Sequence, residues 1–194
     1  MSLQTIILAA GASRRMGSPK ALLKIGGRTF LEVPIARHRN LNLPVWVVSS
    51  EPVYRRLSHL ATPGVRHLLN PHPERGPLSS IRIALDRIGS SSGFLLQPVD
   101  HPLVSSQTLA ALAECHSGEP SKILIPAFKG RKGHPVVFPA GLYNQLREGP
   151  LEQGARWVVQ NNISSVRLID VDDDAILANL NTADDLANWG LKKT

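Results

Sequence analysis

Leu3-Gln4-Thr5-Ile6-Ile7-Leu8-Ala9-Ala10-Gly11-Ala12-Ser13-Arg14-Arg15-Met16-Gly17-Ser18-Pro19-Lys20 is an apolar run that opens into a loop of small residues carrying Arg15 and Lys20. An apolar run of this length, ended by small residues and a glycine, reads as a buried strand. Small side chains leave backbone N–H groups bare, and the two cations add positive charge beside them, so the loop suits a polyphosphate. It is not the commonest phosphate loop, which needs a glycine where Met16 stands, while the lysine here comes only after Ser18 and Pro19. Nor does it hold Gly-x-Gly-x-x-Gly. Taken by itself, the segment also reads as a Gly/Ser turn between a strand and a helix, with two solvated cations.

Outward from this stretch, strand-like and helix-like segments alternate. Strands are expected at Gln4–Leu8, Val45–Ser49, Val65–Leu69, Gly93–Gln97, Lys122–Pro126, Pro135–Phe138 and Val166–Ile169. Leu78, Ile81, Leu85 and Ile88 recur at steps of three and four, which predicts an amphipathic helix. Leu109, Leu112 and Ala113 mark another, capped by Ser105 or Ser106. A third runs from about Thr29 to Asn40, with Pro34 near its first turns. Such alternation predicts a Rossmann-like α/β architecture, an open and mostly parallel sheet with helices on both faces. Ligands of such sheets bind beyond the carboxyl ends of the strands, where strand order switches direction, and the Gly11 loop lies at such an end. No repeat or low-complexity tract divides the 194 residues, which fit one domain burying roughly 70% of its unfolded surface.

The formal charge is +7, which allows nucleic acid, anionic lipid or phosphorylated small molecules as partners. The cations are scattered, and runs such as Arg55-Arg56, Arg131-Lys132 and Lys192-Lys193 are only pairs, so neither nucleic acid nor a membrane is expected as a partner. Cys115 is the only cysteine, so no internal disulfide can form. No apolar run approaches the roughly 18 residues of a membrane span, and the N-terminal one breaks off too early for a signal peptide. A cytoplasmic location is expected. The seven histidines show no paired metal spacing, and Cys115 and His116 would diverge on a helix, so a zinc site is not expected.

Four further segments carry polar chemistry. Asp100, in Gln97-Pro98-Val99-Asp100-His101-Pro102, follows a buried strand and falls on the same side of the sheet as the Gly11 loop. One carboxylate near phosphates is what Mg²⁺ requires, and a helix-capping aspartate is the plain alternative. Gly76, Ser79 and Ser80 stand at a helix N-terminus, where anions and polar ligand edges are favoured and where serine also simply caps. In Asn179-Leu180-Asn181-Thr182-Ala183-Asp184-Asp185, alternation puts Asn179 and Asn181 on one side, while Thr182 and Asp185 form a helix-start pattern. His134 precedes a strand and reads equally as a turn residue. Asp172-Asp173-Asp174 looks like a metal cluster but, placed after a strand, reads as a solvated loop.

Leu8 to Lys20 resembles the Leu-x-x-Gly-x-x-x-Arg-Met-Gly-x-Pro-Lys signature of the nucleotidyltransferase superfamily, in its MobA/MocA-like branch, which activates the molybdenum cofactor from nucleoside triphosphates. Val99 to Pro102 is similar to that family's Asp-x-Pro element, Asn179 to Asp185 to its Asn/Asp-x-Asn/Asp-Thr-Pro-Glu-Asp element, with Ala183 in place of proline, and Gly133 to Phe138 to its Gly-His/Asn-Pro-Val-x-Phe segment. The resemblance implies transfer of a nucleotidyl group to a phosphorylated acceptor with release of pyrophosphate. It implies catalytic roles for Arg15, Lys20 and Asp100. Leu8, Ala9, Ala10, Gly11, Arg15, Lys20, Gly76, Ser79 and Ser80 would bind the nucleotide, Asp100 and Asn181 the Mg²⁺, and His134 and Asn179 the acceptor. The two alanines of Leu8-Ala9-Ala10-Gly11 resemble the branch that uses CTP, whereas Gly76-Pro77-Leu78 resembles the guanylyl branch. The sequence reading therefore takes CTP first and GTP second, with molybdopterin as acceptor and a cofactor-receiving enzyme as a transient partner. A guanylyl or sugar-phosphate transferase, or a nucleotide-binding chaperone without catalysis, are the alternatives.

Overall fold

The structure, a computed structural model, describes residues 3–11, 18–89 and 92–191, so Arg15 lies outside the described residues. β1 (Leu3–Ala9) turns Ile7 and Ala9 to one face of the sheet and Ile6 to the other, all of them buried. Burial on both faces is why the run is continuously apolar rather than alternating.

A short hairpin follows, in which β2 (Lys24–Ile25) pairs antiparallel with β3 (Arg28–Thr29). Gly26 and Gly27 make its turn with φ of 55° and 81°, the left-handed backbone that such a two-residue connection demands. The helix expected from Thr29 begins instead as α1 (Glu32–Asn40). Its start is set by a reciprocal cap: the Thr29 N–H donates to Glu32 Oε2 at 2.6 Å and the Glu32 N–H donates to Thr29 Oγ1 at 3.1 Å.

The chain continues as β4 (Val45–Ser49), α2 (Glu51–Leu57), β5 (Val65–Leu69), α3 (Pro77–Ile88), β6 (Gly93–Pro98), α4 (Ser106–Gly118), β7 (Ile123–Phe128), β8 (Arg131–Lys132), β9 (Val136–Phe138), α5 (Tyr143–Glu148), α6 (Gly154–Asn161), β10 (Val166–Asp170) and α7 (Ala183–Asn188). Each of the seven strands read from the sequence is present, with ends shifted by two residues at most.

The main sheet has the order β10-β7-β9-β6-β1-β4-β5, with β8 attached to β7. All the strands of this path run parallel except β9, which enters antiparallel between β6 and β7. α1, α2 and α7 cover one face through Ile35, Val53, Leu57 and Leu186, joined there by Leu109 and Leu112 of α4. α3, α5 and α6 cover the other, where Leu78, Ile81 and Leu85 are fully buried against Ile6, Val48 and Phe94. The expected mostly parallel α/β sheet with helices on both faces is what the chain forms. After β1 the chain moves outward through β4 to β5, then returns to place β6 on the other side of β1. Strand order therefore reverses between β1 and β6, and the carboxyl ends of these two strands face one opening.

Candidate functional site

That opening is a cavity of about 500 Å³, within the range of roughly 300–1,000 Å³ usual for small-molecule sites. Its floor is the end of β1, Leu8 to Gly11, and the end of β6, Pro98 to Asp100. Lys20 and Ala21 form one wall, Gly76, Pro77 and Ser80 another, and Asn181 closes the rim.

Three side chains converge there. Lys20 Nζ lies 2.9 Å from Asp100 Oδ2 and also donates to Asn181 Oδ1. The ion pair is partly shielded, with side-chain exposures of 13% for Lys20 and 22% for Asp100. Backbone bonds bring these residues together from distant parts of the sequence. The Val99 N–H donates to the Leu8 carbonyl at 3.0 Å, tying the two strand ends to each other, and the Leu180 N–H donates to the Asp100 carbonyl at 2.9 Å. Asn181 is itself fixed by α7, whose Asp185 Oδ2 accepts from the N–H groups of Asn181 and Thr182, each at 2.7 Å. The Asn181 N–H, with the other hydrogen bonds onto this carboxylate, holds Asp185 below its ordinary pKa. The Thr182–Asp185 helix start expected from the sequence is present as a reciprocal capping box.

The wall of Gly76, Pro77 and Ser80 is shaped by Asn70, which follows β5 and which the sequence reading passed over. Its Nδ2 donates to both Ser79 Oγ and Ser80 Oγ at 2.9 Å, and its Oδ1 accepts from the His72 N–H at 2.8 Å. An asparagine before a proline at the end of a strand, here Asn70-Pro71, is the signal that could have found it. Gly76 has φ of 89°, and a Cβ there would meet the Leu151 carbonyl oxygen at 3.3 Å. A side chain at this position would thus be both strained and crowded.

Of the residues singled out from the sequence, Leu8, Ala9, Ala10, Gly11, Lys20, Gly76, Ser80, Asp100 and Asn181 line this one cavity. Ser79 does not: its hydroxyl donates to the Gly76 carbonyl at 2.7 Å, within the wall. Asn179 is exposed on the surface, outside the lining, and its carbonyl accepts from Asn181 Nδ2 at 3.3 Å. His134 is outside the lining, its ring centroid 4.8 Å from that of buried His101. Burial, followed by the neighbouring His101, pushes its imidazole down to about 4. Asp173 is more than part of a solvated loop, since its Oδ2 accepts from the Ser105 N–H at 2.9 Å and from Thr108 Oγ1 at 2.6 Å, anchoring the start of α4.

For a cation, the donor set is one carboxylate and one amide oxygen, both already turned toward a positive charge, that of Lys20. Hard oxygen ligands in that small number, beside a cavity able to hold phosphates, suit Mg²⁺. Among the described residues there is no cluster of three or more His, Cys, Asp or Glu side chains able to hold a metal by themselves. No helix among them is long and apolar enough to cross a membrane.

A strand-order reversal with a loop-lined cavity at the carboxyl ends of β1 and β6 is the ligand-binding arrangement of an open α/β sheet, and the fold as a whole is of the nucleotide-diphospho-sugar transferase type. Residues 5–166 match the model of the MobA-like NTP transferase domain, and the chain belongs to that family of nucleotidyltransferases. It is 30% identical over 131 residues to a probable molybdenum cofactor guanylyltransferase of Bacillus cytotoxicus, an alignment spanning 68% of this chain and 65% of the relative. Among solved structures it is similar to Rv0371c of Mycobacterium tuberculosis, with a TM-score of 0.84 and 25% identity over 97% of this chain and 96% of that one. The same mycobacterial protein, solved as a complex with manganese, superposes with a TM-score of 0.76 at 22% identity, covering 97% of each chain. Molybdopterin-guanine dinucleotide biosynthesis protein A of Archaeoglobus fulgidus shares the fold, with a TM-score of 0.71 and 20% identity over 95% of each chain.

Proposed function

We propose that this nucleotidyltransferase transfers GMP from GTP to the phosphate of a molybdopterin-type acceptor and releases pyrophosphate. The observation that carries the reading is the convergence of Lys20, Asp100 and Asn181 on one point of a cavity floored by the end of β1. An oxygen of the acceptor phosphate attacks the α-phosphorus, and the bond from that phosphorus to the oxygen bridging the α- and β-phosphates breaks. Such in-line displacement needs positioning and charge neutralisation rather than a protein nucleophile. Lys20, with Arg15, stabilises charge on the α-phosphate and the departing pyrophosphate. Asp100 and Asn181 would hold Mg²⁺, which when bound neutralises phosphoryl oxygens. Leu8 to Gly11 and the wall of Gly76 and Ser80 hold the nucleoside.

The guanylyltransferase names of the relatives favour GTP over the CTP that Ala9-Ala10 suggests, and Gly76-Pro77-Leu78 points the same way. The test is pyrophosphate release with molybdopterin, Mg²⁺ and each nucleoside triphosphate in turn. GTP should give the fastest release. CTP working as well or better would return the choice to the cytidylyl reading, and no release with any triphosphate would leave a carrier of nucleotide or cofactor.

A further inference from the structure

The turn that bears Asp100 takes its shape from the buried side. β6 ends near Gln97, 1% exposed, whose Nε2–H donates to the His101 carbonyl at 2.9 Å. A carbonyl only accepts, so Gln97 turns its Oε1 the other way, where His38 Nε2 lies 2.6 Å off. That oxygen too only accepts, so His38 carries its proton on Nε2, and its Nδ1 accepts from the Thr5 hydroxyl at 3.1 Å. The result is a one-directional chain from β1 through α1 and β6 to the residue after Asp100. Thr5 and His38 are fully buried. Burial holds the His38 imidazole down to about 4, so it is neutral at pH 7 and the direction of the chain is fixed. Arg37, beside His38, donates to the carbonyls of Pro102 and Val104, both at 2.6 Å. The last turn of α1 thereby grips the segment beyond Asp100, while the Leu180 N–H holds the Asp100 carbonyl itself.

Apolar side chains would fill this core without the desolvation that buried polar groups incur; a satisfied polar chain gives orientation instead. We infer that Thr5, His38 and Gln97 are positioning residues, which set the Asp100 turn so that its carboxylate and the Asn181 carboxamide meet at one cation. The inference rests on the proposed metal-holding role of Asp100.

It is tested by the Mn²⁺ dissociation constant, read from the electron spin resonance of free Mn²⁺ with GTP present and no acceptor. Asp100→Asn should weaken Mn²⁺ by more than about tenfold, and Gln97→Met and His38→Leu by roughly tenfold each, the usual effect of losing a group that orients a ligand. Affinity for GTP without metal should stay within about twofold in both positioning variants, because only the metal-dependent part is lost. His38→Gln keeps a donor toward Gln97 and an acceptor toward Thr5, and should restore most of the Mn²⁺ affinity. Leu112→Ala, a cavity in the core beneath α4, should lower the melting temperature and leave Mn²⁺ binding unchanged. If Gln97→Met does not fold, the contrast between His38→Leu and His38→Gln decides. Wild-type Mn²⁺ binding in Gln97→Met and His38→Leu, with Asp100→Asn weakened, overturns the positioning role alone. Unweakened Mn²⁺ binding in Asp100→Asn overturns both it and the metal-holding role.

Discussion

A lysine clasped between a carboxylate and a carboxamide is a cation site that the protein fills with its own charge. Asp100→Asn keeps the shape and removes the anion, so turnover should fall by on the order of a hundredfold or more if the carboxylate serves the phosphoryl transfer. The asparagine still offers Lys20 a hydrogen-bond acceptor, so the fold should lose only about 1–3 kcal/mol. Normal turnover of this variant at saturating Mg²⁺ would reduce Asp100 to a turn residue. Lys20→Ala separates an enzyme from a carrier, because only contacts that strengthen in the transition state accelerate the step. Its single-turnover rate of pyrophosphate release should drop by a larger factor than its nucleotide affinity. Full recovery of the rate at saturating nucleotide would place Lys20 in ground-state binding alone.

Elements bring these residues together, and their legibility in the sequence differs for physical reasons. The long strands were readable because burial on both faces makes them continuous apolar runs, as in Ile6-Ile7-Leu8 and Val45-Trp46-Val47-Val48. The hairpin around Gly26-Gly27 was not, because strands of two residues carry no periodicity. Of the cavity, the ends of β1 and β6 were legible from the rule of carboxyl ends. Which of Ser79 and Ser80 faces inward was not, since neighbours on a helix differ by about 100° and only tertiary structure sets the zero. His134 was legible only as a residue before a strand: that β9 runs antiparallel, and so starts at the carboxyl edge where His134 meets His101, is set by tertiary structure.

Asp173 shows the same limit. Burial raises its pKa, yet the hydrogen bonds from Thr108, Ser105 and Ala175 outweigh it and hold the carboxyl below its usual value. Asp173→Ala, which leaves the Ser105 N–H and the Thr108 hydroxyl without this partner, should cost on the order of 1–3 kcal/mol in denaturant unfolding. Asp172→Ala and Asp174→Ala, at exposed positions, should stay within about 0.5 kcal/mol. Equal, small effects at all three would restore the picture of a solvated loop.

At the scale of the whole molecule, burial lowers the pKa of His38, His67, His101, His116 and His134 alike. The unfolded chain therefore takes up protons at these side chains as pH falls below about 6.5, before the folded chain does. Stability should be fully present above that pH and decline toward pH 4, where His38 and His134 begin to protonate in the fold as well. The slope is about 1.4 kcal/mol per pH unit for each proton of difference. Urea unfolding at pH 7, 6 and 5 measures it directly, and a stability independent of pH over this range would mean that these rings are not buried as neutral groups.

The bond from the Leu180 N–H to the Asp100 carbonyl also carries a meaning in time. In order of synthesis β1 through β10, with Lys20 and Asp100, precede Leu180, Asn181 and α7. Leu180 and Leu186 belong to the same core as Ile7, Ile35 and Val53, so a nascent chain without them lacks part of that core as well as the rim of the cavity. Completing the core and closing the rim are therefore one event, the docking of the last helix, which brings Asn181 to Lys20.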